Sequence, residues 1–175
     1  MRCFVALDLS REFINYIHEI QQLIKRQNLF IGKFTESENL HLTLKFLGEI
    51  DEEKVEEVKE KLKKVREEEF EAELGEVGVF SKKFLRIIWI KLKNCDKLQK
   101  AIDDALSNLF PIENRFMSHI TIARVKKVGD RKALLDYIKN MKTKNIKFKV
   151  DKFFLKKSEL APSGSSYEDL EEYSL

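Results

Sequence analysis

Long apolar runs are missing from this chain. No stretch approaches the ~20 residues that a membrane-spanning helix requires, so no span is expected. The opening MRCFVALDLSREF has an Arg followed by alternating apolar residues. It carries neither the apolar core nor the cleavage site of a signal peptide, which favours a cytoplasmic location. Cysteine is scarce: Cys3 and Cys95 form no CxxC pair and read as reduced thiols. With three histidines and no cysteine cluster, a structural zinc site is excluded. Gln is down to four residues and Pro to two. No low-complexity segment or linker divides the chain.

What remains is a charged, globular composition. At about 150 residues per domain, 175 residues predict a single domain spanning 1–175. Such a chain buries roughly 70% of its unfolded surface. Hydrophobic residues make up 43% and charged residues 36%, too apolar for disorder and too charged for a membrane protein. The 25 Lys and 21 Glu give the weighting found in hyperthermophiles. The net charge of +3 suits an anionic substrate without identifying one.

Periodicity predicts alternating strands and helices. A strand over Phe4–Leu9 leads to a helix capped by Ser10, with Phe13, Ile14, Ile17, Ile20 and Ile24 at helical spacing. A strand over Asn39–Leu47 leads to a helix capped by Asp51, with Val55, Val58, Leu62 and Val65 on one face. Glu68–Phe80 alternates, with a phase shift at Gly75 that predicts a bulge. The second half repeats this order. Strands are expected at Leu85–Leu92 and His119–Val125, and helices capped by Asp96 and Asp130. A further strand is expected from Ile146 on through Leu155. The segment from Ser158 onward reads as loop around Pro162-Ser163-Gly164, with room for a short last strand. The reading is a mixed α+β, bilobal pseudo-duplication, its halves near 1–80 and 81–157, followed by a C-terminal tail.

The duplication carries the chemistry. His41-Leu42-Thr43-Leu44 and His119-Ile120-Thr121-Ile122 lie 78 residues apart in matching places, each ahead of an Asp-capped helix. Strand side chains alternate faces, so each His and its Thr point the same way, roughly 7 Å apart along the strand. If the halves pack as a pseudo-dimer, two His and two Thr converge on one cleft. One imidazole then takes a proton from an attacking oxygen and one imidazolium gives a proton to a leaving oxygen. Two hydroxyls meet the non-bridging oxygens of a phosphate. A lone HLTL string means little; a matched pair that uses two of only three histidines means much more. His18, on the first helix without a partner string, is a solvent-edge residue. No metal-ligating set lies near either string, so no divalent ion or cofactor is expected.

These strings resemble the two-histidine (2H) phosphoesterase superfamily, in particular the LigT-like RNA 2′,3′-cyclic phosphodiesterases, also called 2′-5′ RNA ligases. The resemblance spans nearly the whole chain. It rests on His41-Leu42-Thr43-Leu44-Lys45-Phe46-Leu47-Gly48 and Ser118-His119-Ile120-Thr121-Ile122-Ala123-Arg124. Phe4-Val5-Ala6-Leu7, Arg86-Ile87-Ile88-Trp89, and Ser158-Glu159-Leu160 with Gly164 and Tyr167 also fit.

The resemblance implies two antiparallel sheets facing each other across a central cleft, with helices outside. It implies metal-independent opening of RNA 2′,3′-cyclic phosphate ends to 2′-phosphates, and reversible, ATP-independent 2′-5′ joining. His41 and His119 are then catalytic, and Thr43 and Thr121 bind phosphate. His41 is taken as the acid and His119 as the base, although either order is open. Arg124 is assigned to substrate binding because the family has a basic residue there, although strict alternation turns it away. Lys45, at i+2 from Thr43, has the better geometry, and Arg86 flanks the cleft. Trp89 and Phe80 are candidates to stack a base, with core packing the blander role for Trp89. The basic run over 142–149 reads as a charged edge strand. A monomer acting on RNA is expected. The alternatives are a cyclic phosphodiesterase for small nucleotides, such as ADP-ribose cyclic phosphate or 2′-5′ oligoadenylate, and a non-catalytic RNA-binding module.

Overall fold

The computed structural model describes every residue except Ser163. Among the described residues, nine strands and four α-helices follow one another. β1 (Arg2–Asp8), α1 (Arg11–Arg26), β2 (Phe30–Phe34), β3 (His41–Glu49), α2 (Glu52–Leu62) and β4 (Phe70–Val79) come first. β5 (Ile87–Lys93), α3 (Asp96–Ala105), β6 (His119–Val128), α4 (Arg131–Asn140), β7 (Lys147–Val150), β8 (Lys152–Ala161) and β9 (Gly164–Ser174) complete the chain. The strands form two antiparallel sheets, ordered β3-β1-β8-β9 and β2-β6-β5-β4-β7. The fold is α+β.

Local chemistry sets the helix starts. Ser10 accepts from the Phe13 N–H at 3.3 Å, Asp51 from Lys54 at 2.8 Å and Asp130 from Ala133 at 3.0 Å, so each satisfies an otherwise orphaned donor. Asp96 differs from expectation: it is the first helical residue of α3, and the cap position is Cys95, which makes no capping bond. An acid there still favours the positive end of the helix.

The two sheets do not follow the two sequence halves. β4, from the first half, pairs with β5 in the second sheet. The strand expected to run from 146 through 155 is two strands that part at Asp151. β7 joins β4, whereas β8 joins β1 in the other sheet. Helices cross over too: α1 packs on β6 and α3 on β3. One continuous core results, in which Phe13, Ile17, Leu42, Ile88, Ile120 and Phe153 are almost fully buried.

Two further elements differ from the sequence reading. β2 is a short, largely exposed strand with little apolar periodicity to betray it. The expected C-terminal loop is the eleven-residue β9. It pairs with β8 throughout, from Lys152↔Ser174 to Ala161↔Gly164. Of the expected Pro162-Ser163-Gly164 loop, Ser163 lies outside the described residues.

Candidate active site

β3 and β6 each carry a bulge at the same place in the duplicated string. Along β1, Val5 pairs with Lys45 and the next residue, Ala6, with Thr43, so Leu44 is the extra residue. Along β5, Ile88 pairs with Ala123 and Trp89 with Thr121, so Ile122 is the extra residue. A bulge reverses the side-chain phase beyond it. Lys45 and Ala123 therefore turn inward and are buried, while Phe46 and Arg124 turn outward and are exposed.

This corrects two expectations from one cause. Lys45 does not reach the cleft: it is 6% exposed and ion-pairs with Asp103 of α3 on the core side. Phe46 takes the cleft position instead. Arg124, which simple alternation directed away, lines the cleft. Arg86 does not line it; this exposed residue precedes β5, and its carbonyl accepts from the Val125 N–H at 2.8 Å. The β6 bulge is secured by Gln21 of α1, whose buried amide donates to the Ile122 carbonyl and to the Thr35 carbonyl, both at 2.9 Å. The Thr35 N–H also donates to the Ile122 carbonyl, at 3.0 Å.

Both histidines, both threonines and Arg124 line one cleft of about 380 Å³. Each imidazole is oriented in the same way. His41 Nδ1 lies 2.8 Å from the Asn39 carbonyl, and His119 Nδ1 lies 2.7 Å from the Met117 carbonyl. A carbonyl only accepts, so each Nδ1 carries the proton and each neutral ring leaves Nε2 as its basic atom. His41 Nε2 meets the Thr43 hydroxyl at 3.1 Å.

Aromatic rings brace both. Phe4 and Tyr167 flank His41 at 5.1 and 4.9 Å between centroids. Phe80 meets His119 edge-on at 4.7 Å. Burial holds the His41 imidazole below its ordinary range; the hydrogen bond to Asn39 opposes this and the Lys156 charge adds to it.

Sequence reasoning missed Arg2 and Asn39 in the cleft. Arg2 shares the period-two face of Phe4, but only the pairing of β1 with β3 and β8 makes that face a wall of the cleft. Asn39 donates from its amide to the Ser165 carbonyl at 3.0 Å, tying the turn before His41 to β9. Cys3, also in the lining, and Cys95 are free and buried. Burial raises both thiols, Cys95 to about 12, which leaves them as poor nucleophiles. Among the described residues, no three His, Cys, Asp or Glu side chains gather as metal ligands.

Two sheets that each present a histidine and a threonine to a shared cleft define a two-histidine phosphoesterase. The family described as LigT like Phosphoesterase matches residues 7–89 and 92–167, and the chain belongs to that family. It is 35% identical to the RNA 2′,3′-cyclic phosphodiesterase of Methanocaldococcus jannaschii, over 99% of this chain and 100% of that one. It is 36% identical to the protein of the same name from Thermotoga maritima, over 98% and 94% of the two chains. A solved Thermus thermophilus protein shares the fold with a TM-score of 0.83 and 26% identity, covering 100% of this chain and 98% of that one.

Proposed function

We propose that the chain opens RNA 2′,3′-cyclic phosphate ends to 2′-phosphates by two-histidine acid–base catalysis. The observation that supports this most is the matched orientation of the two rings, each held through Nδ1 with Nε2 left for chemistry. His119 Nε2 accepts a proton from water as its oxygen attacks phosphorus. The P–O3′ bond breaks, and His41 Nε2–H protonates the departing 3′-oxygen. The product is a 2′-phosphate and a 3′-hydroxyl. Solvent returns His41 to its protonated form and His119 to its neutral form. Thr43, Thr121 and Arg124 stabilise the charge that builds on the non-bridging oxygens.

The same forward steps, with a 5′-hydroxyl oxygen attacking the cyclic phosphate in place of water and the P–O3′ bond breaking, join two RNA ends through a 2′-5′ linkage without ATP; attack of the 3′-hydroxyl on that linkage, with the two histidines exchanging roles, reverses the joining. RNA is favoured over small cyclic nucleotides by the names of the relatives. The test is incubation with a dinucleotide 2′,3′-cyclic phosphate in EDTA, with the product's phosphate position read by NMR. A 2′-phosphate is expected. No turnover of any cyclic phosphate would leave a binding module, and turnover confined to small cyclic nucleotides would transfer the activity to that class.

A further inference from the structure

A second depression, of about 660 Å³, runs along the outer edge of β4 and against α4. Val77 and Val79 of β4 and Leu135 and Ile138 of α4 give it an apolar floor. Trp89 completes it. A side chain at Gly78 would start 2.4 Å from Trp89 Cη2, so the missing Cβ is what lets the indole lie across β4. Trp89 is 8% exposed, and its Nε1–H has no hydrogen-bond partner among the described residues.

Among the described residues, the strand edge beside it has no pairing partner. β7 pairs only with Phe70–Glu73, and Thr143 and Ile146 reach no further than Gly75 and Leu74. The rim is basic: Lys82, Arg131, Lys132 and Lys139 stand against a single acid, Asp136. Asp136 holds Lys132 at 2.8 Å, and the other three cations have no ion pair among the described residues. Phe80 joins this groove to the cleft. Its half-exposed ring lies 5.8 Å from Trp89 and 4.7 Å from His119.

We propose that this groove holds the single-stranded RNA upstream of the reacting end. One nucleobase lies against Trp89 and the apolar floor, and the flanking phosphates lie on Lys82, Arg131 and Lys139. An aromatic platform beside a row of cations is what a single strand needs, because every base has a π-face and every linkage a charge. The unpartnered indole N–H gains an acceptor on a base or ribose, which removes the cost of leaving it buried and unpaired. The half-exposed Phe80 gives the strand a continuous aromatic path from His119. The charge imbalance favours a polyanion over a protein strand added to the open β4 edge. The inference rests on the RNA reading above.

Trp89 is the only tryptophan, so its fluorescence reports on the groove without a signal from any other indole. The probes are an RNA decamer ending in a 2′-phosphate and a nucleoside 2′-monophosphate. The decamer is expected to quench Trp89, and the mononucleotide to bind without quenching. The triple variant Lys82→Ala, Arg131→Ala, Lys139→Ala, its fold checked by thermal melting, should keep its affinity for the mononucleotide. Its decamer affinity should fall on the order of 100-fold at 0.1 M salt and hardly at all at 1 M. The slope of log affinity against log salt should fall by roughly 2, from about 0.7 per single-strand phosphate contact. An unchanged slope with full decamer affinity would overturn the inference and leave the edge to a protein strand. Equal loss for both probes would overturn it as well. Wild-type turnover of cyclic phosphates is measured separately. Its absence would remove the enzymatic reading, while quench and slope would still decide the groove.

Discussion

Lys45 of β3 and Asp103 of α3 form an ion pair whose side chains are only 5% and 4% exposed. Neither is left with that single bond. Lys45 Nζ also donates to the Pro111 carbonyl at 2.8 Å, and the second Asp103 oxygen accepts from the Glu113 N–H at 2.7 Å. Pro111 and Glu113 belong to the segment between α3 and β6. The pair thus ties the strand of His41 to the approach to His119.

Removing one partner strands the other charge in the interior. Lys45→Ala or Asp103→Ala should each cost ~3–5 kcal/mol, whereas Lys45→Met with Asp103→Leu should recover much of that loss. Denaturant midpoints decide the matter. Near-neutral single variants would mean that water reaches the pair. A slower kcat in the stable double variant is expected, because the Pro111 and Glu113 contacts are gone.

The histidines themselves give the sharpest contrast. His41→Ala and His119→Ala should each lower cyclic phosphate hydrolysis by ~10²–10⁴-fold. The double variant should be little worse than either single one, since paired groups act as a unit. His18→Ala should change little. Rates with a dinucleotide 2′,3′-cyclic phosphate check all four variants, and survival of activity in His119→Ala would refute the paired mechanism.

Burial of His41 has consequences for pH. Its folded value lies below its unfolded one, so the folded chain binds fewer protons here. The associated stability is fully present above the unfolded value of ~6.5 and is lost as pH falls through the lowered folded value. Melting temperatures from pH 7.5 to 5 should therefore fall more for the wild type than for His41→Gln. In catalysis, an acidic His41 must be protonated. The descending limb of kcat/KM is expected below ~6.5, and that of kcat at higher pH, because bound phosphate favours the imidazolium. Coincident limbs would speak against His41 as the acid.

The threonines separate hydrogen bonding from shape. Thr43→Ser and Thr121→Ser keep the hydroxyl and should be mild. Thr→Val at either position should cost up to ~10²–10³-fold, the worth of one lost donor to a developing anion. Equal damage from Ser and Val in steady-state rates would show that the methyl group matters and the hydroxyl does not.

The legible parts of this fold were those with a local signature. The Asp51 and Asp130 caps, the irregularity near Gly75 and the matched His–Thr strings were all readable from neighbouring residues. The bulges at Leu44 and Ile122 were not. An extra residue in a strand leaves no mark on composition, yet it moved Lys45 out of the site and Arg124 into it. β9 was illegible for another reason. Its sequence, GSSYEDLEEYS, is mostly polar, because the strand lies at a sheet edge with little of it buried. Its contribution of Tyr167 beside His41 depends on pairing with β8, which no local pattern announces.

The crossing of β8 into the first sheet has a consequence for how the protein is made. β1 leaves the ribosome before its second neighbour, Lys152–Ala161, has been synthesised, with β2 to β7 and all four helices lying between them in the chain. Tyr167 beside His41 and the Asn39–Ser165 bond come later still. A nascent chain therefore holds both histidines before Tyr167 and Ser165 of β9 can brace the His41 side of the cleft. Closing such distant pairings is slow compared with helix formation. Hydrolytic competence should arrive only once β9 has cleared the ribosome, so that onset of activity in a synchronised translation reaction times the docking of β8 and β9.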